Sequence, residues 1–267
     1  MKREKLAEKQ KNRFINGIYV NREYSWLLFN KRVLDQASDL TNPVLERGKF
    51  LSIFGSNLDE FFMVRAGSLY NEMLSHPRET DNKTGLTAAK QLDGICPVVK
   101  KLYAERSAVF NNLRKDLNKN GIKILREGEL TPRQREFCEN IFTSHILPLL
   151  SLMVLDAKHP LMQFENMRNY LLYDLEKDGR RMVGVMAVNS ALDRLYRVGG
   201  GKKIKLIPLE EILRAFGHLA FIGYTVKDRL MMRVTRNADF DTDIEDTDIE
   251  RDFPQIMRQK VESRARM

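Results

Sequence analysis

Residues 52–67 of the 267-residue chain have the sequence SIFGSNLDEFFMVRAG, in which polar side chains interrupt an apolar helical pattern. The apolar residues recur at the spacing of a helix that buries one face, and they are Ile53, Phe54, Leu58, Phe61, Phe62 and Val64. The polar residues in the middle of the stretch are Ser56, Asn57, Asp59 and Glu60. Burying polar groups costs free energy unless they find partners, so these residues need a structural or a functional reason.

Two explanations fit the polar residues of this stretch. In the first, Gly55 ends one helix, and Ser56 with Asp59 caps the next one, so that the polar group marks a corner between two helices. In the second, Asn57 points into a cavity and offers its amide to a ligand. The residues alone leave both explanations open and slightly favour the corner.

The composition is that of a globular protein with a basic charge. Lys and Arg number 45 and Asp and Glu 36, which gives a formal net charge of +9. This charge favours an anionic partner, and nucleic acid, a membrane surface and phosphate-rich small molecules all remain open. No stretch approaches the roughly 20 apolar residues of a membrane-spanning helix. Cys96 and Cys138 form no CxxC motif, which fits a reducing compartment and predicts neither a disulfide framework nor a zinc site.

Helical patterns dominate the chain after its first thirteen residues, which are rich in Lys and Arg. Apolar residues at positions i, i+3, i+7 and i+11 predict the buried face of a first helix: Trp26, Phe29, Val33 and Ala37. Pro43 predicts the start of a second helix, and the helical pattern continues to Leu74. A further helix is expected from Thr87 to about Asn118, with a kink or break at Pro97.

Beyond Gly121 the patterns change to short strands and turns. Thr131, Pro132 and Gln134 have the spacing of a helix capping box. Further elements are predicted from alternating apolar residues and turn residues, namely a strand at 121–125, a hairpin turned at Asp178-Gly179, a second hairpin turned at 199–201, a helix at 209–216 and a strand at 229–236. The sequence therefore predicts a helical half followed by a mixed α+β half, with the boundary near residue 120.

None of the chemical motifs in the chain indicates a catalytic or metal site. The histidines share no HxxxH or HExxH spacing, and they are His76, His145, His159 and His218. The glycines at 199–201 lack the rest of a phosphate-binding loop, which favours a flexible hairpin turn. Residues 239–250 place acidic side chains at the spacing of a calcium loop, but Ile244 stands where that loop needs glycine. An acidic loop is expected there instead.

Residues 19–69 closely resemble the N-terminal domain of bacterial polyphosphate kinase. The resemblance is carried by motifs in a fixed order: Asn21-Arg22-Glu23, Ser25-Trp26-Leu27, Phe29-Asn30-x-Arg32-Val33-Leu34, Asn42-Pro43 and Ser56-Asn57-Leu58-Asp59-Glu60-Phe61-Phe62. The second half resembles the head domain of that enzyme at Ile207-Pro208-Leu209-Glu210, at Gly223-Tyr224 and at residues 233–239.

The resemblance implies an α+β multidomain fold. A basic tail at 1–18 is expected to precede an all-helical N-terminal domain at 19–120. A mixed α+β head (middle) domain is expected at 121–267 and to be truncated at its C-terminal end.

The family transfers the terminal phosphate of ATP reversibly to inorganic polyphosphate through a phosphohistidine, with Mg²⁺. Its catalytic histidines lie in two C-terminal domains, which are expected beyond residue 267. The resemblance therefore implies no catalytic residue and no metal ligand in this chain, which is expected to be inactive alone. In the family the asparagine of the Ser-Asn-Leu-Asp-Glu-Phe motif contacts ATP, so Asn57 is the expected ATP-binding residue.

The resemblance also implies partners and a location. ATP, Mg²⁺ and inorganic polyphosphate are expected in the complete enzyme, with no cofactor held by this chain alone and no nucleic acid partner. The head domain is expected to contribute dimer contacts to a homo-oligomer that is cytoplasmic or peripherally associated with a membrane. The alternative that the basic charge leaves open is a non-catalytic polyanion-binding or regulatory module.

Overall fold

The computed structural model describes residues 15–16, 19–156 and 164–238. Most of the expected basic tail and the acidic segment at 239–250 lie outside the described residues. The described residues divide into two compact units. The first contains the chain up to Leu113 together with residues 235–238, and the second contains Arg114–Val234.

Helices make up most of the first unit. Two short strands, β1 (Ile15–Asn16) and β2 (Tyr19–Val20), pair antiparallel at its start. The helical segments that follow in the described chain are α1 (Arg22–Ser38), α2 (Val44–Glu60), a π-helical segment (Phe61–Ala66), α3 (Gly67–Ser75) and α4 (Ala88–Lys119). The last residues of α4 belong to the second unit. Of the kink or break predicted at Pro97, the break is wrong, because the helix continues through this residue.

The buried face of α1 differs from the predicted one. The buried residues of α1 beyond its first turn are at most 1% exposed and share the i, i+3, i+7, i+10 spacing of one helix face: Leu27, Asn30, Leu34 and Ala37. Phe29 is 46% exposed, and Trp26 and Val33 are only half-buried. The predicted and the observed faces are neighbouring stripes of α1 with nearly the same residue spacing. The observed face was not predicted because it contains the polar residue Asn30.

The predicted corner at Gly55 and Ser56 is also wrong. α2 runs through both residues without interruption. The Ser56 hydroxyl donates to the carbonyl oxygens of Ser52 and Ile53, each at 3.2 Å, so its own helix satisfies it. The π-helical segment after Glu60 then leads directly into α3. The four polar residues of the opening stretch, at positions 56, 57, 59 and 60, therefore lie within one continuous helix.

The second unit is built on two sheets. Its elements in the described chain are β3 (Ile122–Ile124), a 3₁₀ turn (Glu127–Glu129), α5 (Pro132–Ile141), a second π-helical segment (Phe142–Ile146), a second 3₁₀ turn (Leu147–Leu149), β4 (Ser151–Leu155), β5 (Asn169–Lys177), β6 (Arg180–Ala187), β7 (Leu195–Arg197), β8 (Ile204–Pro208), α6 (Leu209–Phe216), a third 3₁₀ turn (Gly217–Ala220) and β9 (Thr225–Arg233). One sheet is antiparallel with strand order β4-β6-β5-β9, and the other has the order β3-β8-β7 with β3 parallel to β8. A helical region followed by a mixed α+β region confirms the predicted fold class.

Local signals in this unit are confirmed. The side chain of Thr131 accepts from the backbone N–H of Gln134, and the Gln134 side chain accepts from that of Thr131, as the capping box predicts. Asp178 and Gly179 have φ values of 50° and 73°, which suit the tight turn between β5 and β6. The strand β4 had not been predicted.

The core of the second unit lies between the four-stranded sheet and α6. Leu171, Tyr173 and Leu175 alternate along β5 and are buried in one cluster with Leu213 and Phe216 of the helix. The hydroxyl of Tyr173 donates to the Leu213 carbonyl oxygen at 3.0 Å. Burial raises the pKa of this phenol well above its usual value. The hydrogen bond therefore fixes the helix to the sheet with a neutral donor.

Candidate functional site

Asn57 lies in the last turn of α2 and faces α1. Its side chain is half-buried, and its Nδ2 donates to Oδ1 of Asn30 at 3.0 Å. Asn30 is fully buried, and its own Nδ2 donates to the backbone carbonyl oxygen of Phe54 at 3.1 Å. The two amides therefore form a short chain of hydrogen bonds that joins the two helices.

The carbonyl of Phe54 determines how both amides are oriented. A carbonyl oxygen only accepts, so Asn30 must present its NH₂ group to it and its Oδ1 to Asn57. Asn57 must then present its own NH₂ group to Asn30. Its Oδ1 and its second N–H have no hydrogen-bond partner among the described residues. This amide can therefore offer both an acceptor and a donor to a ligand.

The amide pair lies in a row with an aromatic stack and an ion pair between the same two stretches of helix. Residues 23, 26 and 30 of α1 meet residues 65, 61 and 57 in the reverse order, as expected for antiparallel neighbours. These contacts are an ion pair of Glu23 with Arg65 at 3.3 Å, a stack of Trp26 on Phe61 with ring centroids 4.7 Å apart, and the pair of Asn30 with Asn57. The apolar layer lies between two polar layers, which fixes the register of the helices at the position of Asn57.

Glu23 is a buried carboxylate in the first turn of α1. Its side chain is 2% exposed, and its two oxygens accept from Nε of Arg22 at 2.8 Å and from Nη1 of Arg65 at 3.3 Å. The guanidinium of Arg65 also lies over the Trp26 ring, 5.9 Å from the centroid. Glu23 is thus paired on both oxygens, as a buried charge requires.

The remaining reactive side chains do not converge on a catalytic site. His76, His145 and His218 are exposed and lie after α3, in the second π-helical segment and in the 3₁₀ turn at Gly217–Ala220, and His159 is outside the described residues. Within the described ranges no group of three or more His, Cys, Asp or Glu side chains could hold a metal ion. Burial raises the pKa of the Cys138 thiol to about 11, so the thiol stays protonated near neutral pH and is a poor nucleophile. β7 and β8 pair on either side of the glycines at 199–201, which confirms the predicted hairpin turn.

A cavity of 860 Å³ lies in the second unit against the four-stranded sheet. Its lining is mostly apolar and includes Leu172, Val185 and Leu230. The Asp174 carboxylate in its wall is paired with Arg181, which holds the pKa of that carboxyl below its usual value. Three of the five charged residues in the lining are acidic, which does not favour an anionic ligand such as a nucleotide: Asp156, Asp174, Arg181, Asp228 and Arg229.

The sequence pattern indicates a role for Asn57 but not for three residues of the neighbouring contacts. Asn30, Glu23 and Arg65 all lie within or beside the quoted motifs, yet only the pairing of the helices brings them together. The signal that could have identified Asn30 is a polar residue at the i+3 or i+4 spacing of a buried apolar stripe.

No helix in the described part of the chain is both long and apolar enough to cross a membrane.

Two family models together match most of the chain. Residues 19–125 match the model of the polyphosphate kinase N-terminal domain, and residues 133–267 match that of the polyphosphate kinase middle domain. These are the helical and the α+β parts of one class of phosphate-transferring enzyme. The chain belongs to the polyphosphate kinase family.

Individual relatives agree with this assignment. The polyphosphate kinases of Bacillus anthracis and Bacillus cereus are each 42% identical to this chain over 229 residues, which is 83% of this chain and 33% of each relative. The crystal structure of polyphosphate kinase from Porphyromonas gingivalis matches with a TM-score of 0.72 and 28% identity, over 84% of this chain and 34% of that one. The chain thus spans about a third of the length of the relatives it matches.

Proposed function

We propose that this chain forms the N-terminal and middle parts of an ATP:polyphosphate phosphotransferase and that Asn57 contacts ATP there. The family relationship supports the general activity, because residues 19–125 and residues 133–267 each match a domain of polyphosphate kinases. The observation that supports the role of Asn57 is its oriented amide, which keeps an acceptor and a donor without partners among the described residues. A nucleotide carries hydrogen-bond donors for the acceptor oxygen of this amide and hydrogen-bond acceptors for its donor N–H.

The proposed contribution of this chain is binding rather than bond-making. The reaction moves the terminal phosphate of ATP onto polyphosphate through a phosphohistidine, and Mg²⁺ would offset the charge of the phosphates when bound. In the proposal the histidine nucleophile comes from a part of the enzyme that this chain does not include. Assembly as a homo-oligomer and a cytoplasmic or peripherally membrane-associated location belong to the same proposal.

Replacing Asn57 by alanine should weaken ATP binding. The assay uses a complete enzyme in which this chain is joined to the remaining two thirds of the Bacillus cereus relative. One neutral hydrogen bond is worth about 0.5–1.5 kcal/mol, so Asn57→Ala should raise KM for ATP by about 2- to 13-fold with a smaller change in kcat.

Ser56→Ala is the matched control for this experiment. Ser56 is the neighbouring residue, is exposed, and bonds only to the backbone of its own helix, so its loss should leave KM unchanged. An unchanged KM in Asn57→Ala, together with a lower melting temperature, would show that the amide is structural and would overturn its assignment to ATP.

The alternative of a general polyanion-binding module makes a different prediction. Such a module would bind duplex DNA and polyphosphate alike, and its affinity would fall steeply with salt because counterions are released. The proposed enzyme should instead depend on Asn57 for ATP and show no comparable affinity for DNA. A pull-down with both polymers over a salt series separates the two functions.

A further inference from the structure

Asn30 is fully buried, and both ends of its amide have a fixed partner. Its Nδ2 faces the Phe54 carbonyl oxygen at 3.1 Å, and its Oδ1 receives Nδ2 of Asn57 at 3.0 Å. Turning this amide over would place its oxygen against the Phe54 carbonyl and its NH₂ group against that of Asn57. Both contacts would be repulsive inside the protein, so only one orientation is satisfied.

We propose that Asn30 is a positioning residue, which holds the amide of Asn57 in the orientation that ATP requires. This inference rests on the proposed function of Asn57. A half-buried amide with no fixed partner could rotate and would lose conformational freedom on binding. An amide that the protein already orients avoids most of that cost, which raises affinity without a further contact to the ligand.

The neighbouring contacts explain why the position of Asn30 is itself well defined. Trp26 lies one turn before it on α1 and stacks on Phe61, one turn after Asn57. Leu27 and Leu34 flank Asn30 on the buried face and are at most 1% exposed. The backbone of both helices is therefore fixed by apolar packing, and the two amides meet across a constant distance.

A double-mutant cycle tests whether Asn30 acts through Asn57. In the complete enzyme described above, Asn30→Leu should raise KM for ATP by about 2- to 13-fold with little change in kcat, as expected from the loss of one ordered hydrogen bond. The same substitution should have almost no further effect on KM in the Asn57→Ala background, because the residue that it positions is then absent.

The chain offers a matched control in a second buried amide pair. Asn21 donates from its Nδ2 to Oε1 of Gln91 at 2.8 Å, and this pair makes no contact with Asn57. Gln91→Leu should lower the melting temperature but leave KM for ATP unchanged. A rise in KM in Gln91→Leu equal to that in Asn30→Leu would mean that general destabilisation causes the effect, and it would overturn the inference.

The outcomes also separate this inference from the proposed function. If Asn57→Ala raises KM and Asn30→Leu does not, the ATP contact stands and the positioning role is wrong. If neither substitution raises KM, the proposed function itself is wrong. If the increase in KM of the double variant equals the product of the increases in the two single variants, Asn30 does not act through Asn57.

If Asn30→Leu does not fold, the hydrogen bond between Asn30 and Asn57 can be tested on the unsubstituted chain. In nuclear magnetic resonance spectra, one side-chain N–H proton of Asn57 should exchange with water several-fold more slowly than those of the exposed Asn118 and show a cross-peak to Asn30. Exchange as fast as that of Asn118 at both protons would overturn the inference.

Discussion

Glu23 shows how single polar residues are accommodated in the helical interface. It is in the first turn of α1, where the positive end of the helix dipole favours a carboxylate. Its side chain is only 2% exposed, so it depends on the donors of Arg22 and Arg65. These two arginines differ in exposure, because the side chain of Arg22 is 81% exposed and that of Arg65 is 35% exposed. The more buried donor should matter more.

Arg65→Met should therefore destabilise the first unit. Removing one donor from a nearly buried charged group costs about 1–3 kcal/mol in free energy of unfolding. Arg22→Met is the matched control and should cost less than about 1 kcal/mol, since the Arg22 guanidinium is exposed and water can take its place beside Glu23. Urea unfolding of both variants measures the difference. Equal and small losses would show that Glu23 does not depend on Arg65.

At the level of residues, the sequence revealed which side chain was unusual but not what it contacts. Asn57 stood out because it interrupts an apolar stripe. Its partner Asn30 is 27 residues away in the chain, and no local pattern specifies which helices pair or in which register. The same holds for Glu23 and Arg65, which are 42 residues apart. Long-range polar partners of this kind become visible only when the helices are placed together.

At the level of elements, local signals predicted turns and caps well and helix faces poorly. The capping box at Thr131 and the turn at Asp178-Gly179 depend on residues within four positions of each other. The corner at Gly55 was also a local signal, but packing of the continuous helix α2 overrode it. The strand β4 was missed because what stabilises it is pairing with β6, about 30 residues later in the chain.

The turn between β5 and β6 yields a prediction at this level. Gly179 has φ of 73°, in the left-handed region that side chains with a Cβ disfavour, so Gly179→Ala should lower the free energy of unfolding by about 1 kcal/mol. Gly200 in the second hairpin turn is the control, because its φ is not in that region and nothing lies within 4 Å of an added Cβ. Gly200→Ala should leave stability unchanged or slightly raised. Thermal unfolding compares the two, and equal losses would contradict the role of the turn.

At the level of the whole molecule, the sequence predicted a helical part followed by an α+β part, and the family comparison agrees with both. The net charge of +9 was compatible with several anionic partners, because a total charge does not say where the charges lie. The motifs were more specific than the charge, since they combine several fixed residues in order. Catalysis requires reactive side chains that lie close together. The described histidines do not form such a cluster.

The isolated chain should therefore not take up phosphate from ATP. A phosphohistidine forms only when a histidine lies in line with the terminal phosphate and cationic groups offset the developing charge. His76, His145 and His218 are exposed at separate positions along the chain, and none of them belongs to a metal-binding cluster of described residues. Incubation with radiolabelled ATP and Mg²⁺ should leave this chain unlabelled, whereas the complete enzyme that contains it should become labelled as a positive control. Acid-labile, base-stable label on His145 or His159 of the isolated chain would contradict this expectation and would assign a catalytic histidine to this part of the protein.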